Sequence, residues 1–159
     1  MKIVEVYSDG SSANRGGKPG GWSWIVCVDS QVVAADAGSD PETTNNIMEM
    51  TGALLGLRAV AKLRLFGVGH VVTLVSDSQV TLGLASGRYS PSTNFHIARD
   101  LHLAYMDVQA RDRWVPGHSL KDVQKQGQVP SQDVIMNDRC DRLAHGQKEA
   151  LKKSLGLLI

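Results

Sequence analysis

Residues 3–11 read Ile3-Val-Glu-Val-Tyr-Ser-Asp-Gly-Ser11, a β-rich run closed by an acidic residue and turn chemistry. Val4 and Val6 alternate against Ile3, Glu5 and Tyr7, the two-residue period of a strand, and Ser-Asp-Gly-Ser-Ser supplies the turn that follows. This places Asp9 at the carboxyl end of a buried first strand. A carboxylate at such a point needs a chemical reason, and three more acids stand beside comparable boundaries: Glu49 early in a helix, Asp77 after another strand and Asp141 in the last helix. The expectation is that Asp9, Glu49, Asp77 and Asp141 converge to hold divalent metal ions.

Downstream of Asp9, residues 10–22 are dense in glycine. Two readings stand for them. One is a flexible hairpin connection; the other is a loop in which Gly16, Gly17, Gly20 and Gly21 let the backbone approach a phosphate chain, with Asn14 as a hydrogen-bonding side chain. It is not a Walker loop, because Lys18 is followed by Pro19. Trp22–Val28 and Gln31–Ala37 are β-type runs joined by Asp29-Ser30, which predicts an antiparallel hairpin. Asp40-Pro41-Glu42 breaks the pattern, and Thr43, Thr44, Asn45 and Asn46 are candidates for a helix N-cap.

The helical pattern that follows spans Ile47–Leu65. Glu49, Gly52, Ala53, Gly56 and Val60 recur at steps of three and four, so they share one face. That face is small enough to lie close to a sheet and would carry Glu49 to the strand termini; a solvated first-turn glutamate is the alternative. His70–Val75 is nearly continuously apolar, as suits a parallel strand covered on both faces. Strand, helix and strand then form a right-handed crossover, and Asp9 and Asp77 emerge at the same edge of the sheet, where ligands bind in open α/β sheets. A short helix at Gln79–Ala85 and a polar loop at Arg88–Thr93 follow. Next come a helix at Phe95–Gln109 with a stripe of Ile97, Leu101, Ala104 and Val108, and a brief strand at Arg113–Val115. Ser119–Gln132 reads as a mobile loop. Val134–Leu155 reads as a final helix whose inner face is Cys140, Leu143, Gln147 and Leu151.

A chain of 159 residues fits one domain, residues 1–159, large enough to bury a real core. No leader-like segment opens it and no run of 18 apolar residues occurs, so a monomeric cytoplasmic protein without membrane contact is expected. Cys27 and Cys140 are too few for a zinc site or a disulfide framework and are read as packing residues. A net charge of +1 would argue against a nucleic-acid partner, but four carboxylates neutralised by divalent cations remove much of that objection.

Five blocks, taken in order, resemble ribonuclease HI. They are Asp9-Gly-Ser11, Thr43-Thr-Asn-Asn-Ile-Met-Glu49, Ser76-Asp-Ser-Gln79, Trp114-Val-Pro-Gly-His118 and Asn137-Asp-Arg-Cys-Asp-Arg-Leu-Ala144. The resemblance runs from the first strand to the last helix. It implies an α/β ribonuclease H-like fold, a mixed five-stranded sheet flanked by helices. It implies an endoribonuclease that cuts the RNA strand of an RNA–DNA hybrid with Mg²⁺ or Mn²⁺, two ions per site, leaving 3′-hydroxyl and 5′-phosphate ends. By position, Asp9, Glu49, Asp77 and Asp141 correspond to the metal-binding carboxylates and His118 to the mobile histidine of the family. Thr44 and Asn14 look like DNA-phosphate contacts; Asn45, Asn46 and Gln79 look like minor-groove contacts.

Two departures stand out against that pattern. Residues 88–94 are short and carry one basic residue where many bacterial members have a protrusion rich in lysine and tryptophan. The interval from His118 to Asp141 is long, and Lys121 and Lys125 within it are candidate phosphate contacts. The competing reading is a catalytically weak or silent nucleic-acid-binding module on the same fold.

Overall fold

The computed structural model describes residues 1–13 and 18–156. Five strands form one sheet: β1 (Lys2–Ser12), β2 (Lys18–Val28), β3 (Gln31–Thr43), β4 (His70–Ser76) and β5 (Arg111–Trp114), in the order β3-β2-β1-β4-β5. The β1–β2 and β2–β3 pairs are antiparallel, and β4 pairs in parallel with both β1 and β5. The helices are α1 (Asn45–Lys62), α2 (Gln79–Ser86), α3 (Phe95–Asp107), α4 (Leu120–Lys125) and α5 (Gln132–Ser154). No described helix is long and apolar enough to cross a membrane.

The sheet is covered on both faces. Val4, Val6, Trp24, Val26, Val72 and Leu74 point one way and pack with α1, α2 and α3 through Met50, Leu57, Leu82 and Leu101. Tyr7, Ile25, Cys27 and Val75 point the other way, against Val115 and Cys140 of α5. Two apolar faces explain why Val4 to Gly10 are all buried, where a one-sided sheet would alternate. Cys27 and Cys140 are both buried free thiols within this packing.

α1 can approach the sheet because its inner face is glycine. A Cβ on Gly56 would lie 2.6 Å from a Val6 methyl, and one on Gly52 would lie 2.7 Å from the Ser23 carbonyl oxygen. Thr44 caps the helix, its Oγ1 accepting from the Ile47 amide at 3.2 Å. At the other end of the crossover, Ser78 caps α2 by accepting from the Thr81 amide, and Gly87 closes α2 in the left-handed region at φ 84°.

Four expectations from the sequence need correction. β2 begins at Lys18, and Gly20 and Gly21 lie buried inside it. A Cβ on Gly20 would strike Thr43 and Met48, and one on Gly21 would lie 2.1 Å from the Ala144 carbonyl oxygen of α5. Gly20 makes room for the Thr43 and Met48 side chains and Gly21 for α5 backbone, not for phosphate; Gly16, Gly17 and Asn14 lie outside the described residues. β3 does not stop at Asp40-Pro41-Glu42, because an edge strand has an unpaired side on which proline needs no ladder donor. Residues 119–132 contain the short helix α4 rather than loop alone, with Gly127 at φ 69° turning the chain toward the Ser131 cap of α5. On α5 the buried row is Asn137, Cys140 and Ala144, and Leu143 is 41% exposed.

Candidate active site

β1 pairs with β4 only as far as Tyr7 and Val75, while its pairing with β2 continues to Ser12 and Gly20. Asp9 is therefore not at the strand end but two residues past the point where β4 stops pairing with β1. Its side chain has the same parity as Glu5 and Tyr7 and sits at the carboxyl edge of the parallel pair. Asp77, the residue immediately after β4, meets it there. Glu49 arrives from the opposite face at the first turns of α1, which comes so near that a Cβ on Gly10 would lie 2.2 Å from the Glu49 amide nitrogen.

One carboxylate oxygen from each of Asp9, Glu49 and Asp77 lies within 4.8 Å of the others. Asp9 is 3% and Glu49 7% exposed, and Glu49 Oε2 is buried without a hydrogen-bond partner among the described residues. Asp141 stands on the rim of the same open cavity of about 480 Å³, which Asn45, His118 and His145 also line. His118 Nδ1 is 3.7 Å from Asp141 Oδ2, on a backbone held at φ 55°.

Burial and like charge both disfavour ionisation of the cluster. Burial, and next the Asp77 charge, push the Asp9 carboxyl up from 3.8 to about 8, although the Gly10 amide donates to its Oδ1 at 2.9 Å. Burial and the Asp9 charge raise Glu49 well above the usual carboxylate range. Asp77 is raised by burial too, opposed by a bond from the Asn137 side chain, whose Nδ2 donates to Asp77 Oδ2 at 3.3 Å. Trp114 Nε1 donates to the Asp77 carbonyl oxygen at 3.0 Å, and Gly117 leaves room for the Asp77 carboxylate, which a Cβ there would meet at 2.9 Å. The Trp114-Val-Pro-Gly-His118 block thus closes one side of the site by fixing Asp77.

The remaining sequence candidates are distributed as follows. Asn45 lines the acidic cavity, while Asn46 lines a neighbouring groove with Val80, Thr81 and Tyr89. Gln79 is exposed at the start of α2, and Thr44 is half-buried with its hydroxyl oxygen used in capping. Asn14 lies outside the described residues. The sequence reading passed over Asn137 and His145 as site residues. Both were within reach of a helical period, since Asn137, Asp141 and His145 follow at steps of four along α5.

An acidic cavity at the carboxyl edge of a mixed sheet in this strand order defines an α/β protein of ribonuclease H-like architecture. Residues 1–149 match the sequence model of the RNase H family, and the chain belongs to that family. It is 30% identical to the ribonuclease H of Hahella chejuensis, the alignment covering 95% of this chain and 97% of the relative. It is likewise 30% identical to that of Campylobacter concisus, over 96% and 95% of the two chains. Solved structures share the fold. The N-terminal RNase H domain of a Mycobacterium tuberculosis protein superposes with a TM-score of 0.77 at 21% identity, covering 98% of this chain and 99% of its own. LC11-RNase H1, solved in complex with an RNA/DNA hybrid, gives 0.71 at 16% identity, over 93% and 98%.

Proposed function

We propose that the chain acts as one ribonuclease H domain that hydrolyses the RNA strand of RNA–DNA hybrids, leaving 3′-hydroxyl and 5′-phosphate ends. The observation that carries this reading is the meeting of Asp9, Glu49 and Asp77 within 4.8 Å, with Glu49 Oε2 buried and unpaired beside them. Carboxylates crowded in this way raise one another's pKa unless cations join them, and an all-oxygen donor set selects hard cations. The residues fit Mg²⁺ or Mn²⁺, with Asp9, Glu49, Asp77 and Asp141 as the holders of two ions. When bound, such ions supply an activated water and charge relief at the phosphoryl group.

The chain's own groups do the rest. Asp9, whose carboxylate meets those of both Glu49 and Asp77, would hold the ions together with them. Glu49 and Asp77 would hold the ion on the nucleophile's side, and Asp141, on the rim of the same cavity, the one on the leaving-group side. Asn137 and Trp114 keep Asp77 from turning away. His118, exposed and next to Asp141, is placed to exchange a proton with solvent at the leaving oxygen. Asn45 at the cavity, Asn46 in the neighbouring groove and Gln79 exposed at the start of α2 carry amides that can donate to base edges and 2′-hydroxyls, the group that separates RNA from DNA.

The test is release of end-labelled RNA from a hybrid with Mg²⁺, with Mn²⁺ and with chelator, against duplex RNA and duplex DNA as controls. Metal-dependent cutting of the hybrid's RNA strand alone is expected. A protein that binds the hybrid yet leaves it intact with either metal overturns the assignment.

A further inference from the structure

We propose that His145 binds a backbone phosphate of the RNA strand next to the one being cleaved, a role that rests on the reading of the site as a hybrid nuclease. The cavity presents four carboxylates to a polyanion. Among its described lining residues only His118 and His145 can offer a cationic or N–H-bearing ring to a phosphate oxygen. His118 faces Asp141 at 3.7 Å, and the proposed chemistry already engages it. His145 has no place in that chemistry.

The geometry equips His145 for contact with substrate. It sits one turn beyond Asp141 on α5, so both side chains rise from the same side of the helix, and its own is 58% exposed. One turn further along α5 it meets Glu149, with Nε2 at 3.9 Å from Oε1. That oxygen is also 3.5 Å from Lys152 Nζ and 4.0 Å from Lys148 Nζ. One carboxylate shared by two lysines leaves this stretch of α5 with surplus positive charge, directly downstream of the acidic rim. Lys148 is only 12% exposed, which fixes that charge in position. A strand lying across the carboxylates toward this end of α5 passes the His145 ring, whose N–H donates to a phosphate oxygen. Phosphate contacts set the register of a nucleic acid without taking part in bond cleavage, so His145 acts on binding and not on the chemical step.

The experiment compares wild type, His145→Ala and His145→Arg in two arms. One is steady-state cleavage of a labelled hybrid in Mg²⁺; the other is fluorescence anisotropy of the same hybrid with chelator in place of metal. The expected result for His145→Ala is KM and Kd raised about fivefold, kcat within about twofold of wild type and an unchanged Tm, with His145→Arg restoring KM and Kd. Unaltered KM and Kd in His145→Ala overturn the proposal, as does a fall confined to kcat, which would give the ring a part in proton transfer instead. If the wild type cuts no hybrid, the functional reading fails by itself. The anisotropy arm still judges His145, because an equal Kd for wild type and His145→Ala overturns the phosphate contact regardless.

Discussion

Gly52 of α1 and Asp9 of β1 meet backbone to backbone, with a Cβ on Gly52 falling 2.8 Å from the Asp9 carbonyl oxygen and 2.7 Å from that of Ser23. Neither obstacle is a flexible side chain, so Gly52→Ala must push the helix off the sheet. Overpacking of this kind costs roughly 1–3 kcal/mol. Since Glu49 rides on the same helix one turn earlier, the carboxylate cluster opens as well. Thermal unfolding should register the loss of stability, and isothermal titration with Mg²⁺ should show weakened binding. An alanine variant with wild-type values for both would mean that α1 is free to shift.

Asp9→Asn should abolish hybrid cleavage while leaving the metal-free protein as stable as wild type or more so. The Asp9 carboxyl, raised to about 8 when folded against 3.8 as a free group, holds a proton in the native state that the unfolded chain releases. Native protein therefore binds more protons between those values, and stability falls as pH rises through that window. In chelator, Tm of the wild type should drop by about 5 °C or more between pH 5 and pH 8, corresponding to roughly 2 kcal/mol, and Asp9→Asn should flatten that slope. Added Mg²⁺ should stabilise the wild type more at pH 8 than at pH 5. A marked destabilisation of Asp9→Asn at pH 8 in chelator would contradict this account.

Asn137 is 4% exposed and donates to Asp77. Asn137→Ala removes a side-chain bond that favours the charged Asp77 carboxylate and leaves that group to burial and to the neighbouring acids. Groups that orient metal ligands typically contribute 10–100-fold to affinity or activity, and a loss of about that size in kcat/KM is expected. The Mg²⁺ concentration for half-maximal rate should rise with it. Equal metal dependence in the two proteins would assign Asn137 to packing alone.

On the α5 face of the sheet, Arg113 ties β5 to the other elements. Its Nε donates to Asp133 Oδ2 at 2.7 Å, its Nη2 to Asp133 Oδ1 at 2.9 Å, and it also pairs with Glu5. Tyr7 donates to Asp133 at 2.8 Å, and Gln132 donates to both Glu5 and Tyr7. Burial opposes ionisation of Asp133, yet the Arg113 and Tyr7 bonds outweigh it and hold the carboxyl below its usual range. The stability this brings is present above the ordinary carboxylate range and is lost as pH falls through the lowered folded value. With 43% of the Arg113 side chain exposed, solvent screening limits the effect, and Arg113→Ala should cost about 1 kcal/mol at neutral pH. The difference from wild type should shrink in acid. Kinetic constants should change little, because none of these groups lines the cavity.

Legibility from sequence followed how local each cause is. Parallel pairing of β1 with β4 could be read because a long apolar run after a helix has one sterically favoured crossover, and that crossover alone brings Asp9 and Asp77 to one edge. Glu49 could be read from the spacing of Gly52 and Gly56. Gly20 and Gly21 could not, since what they accommodate is Thr43 and α5 backbone far away in sequence, and a glycine-rich stretch taken alone signals a turn. The continuation of β3 past Pro41 depends on its lying at the sheet edge, a property of strand order and not of the residues themselves. Leu143 matched an apolar stripe on α5, but the face that packs is chosen by Gly21 and Ser23 beneath it. His145 went unremarked because a lone histidine on a polar helix carries no signal until the opposite wall of the cavity is known.

Ser23 Oγ donates to the Cys140 carbonyl oxygen at 2.7 Å, and Gly21 abuts the Ala144 carbonyl oxygen one turn later, so Asp141 rides on a stretch of α5 pinned to β2 at both ends. The thirteen or so residues that carry the chain over from His118 therefore have no say in where that carboxylate points. Their length can drift, and they can be shortened or replaced by a graft, while Asp141 keeps its place beside the other carboxylates; the span before α5 is a part of this fold that selection can rewrite without moving that side chain.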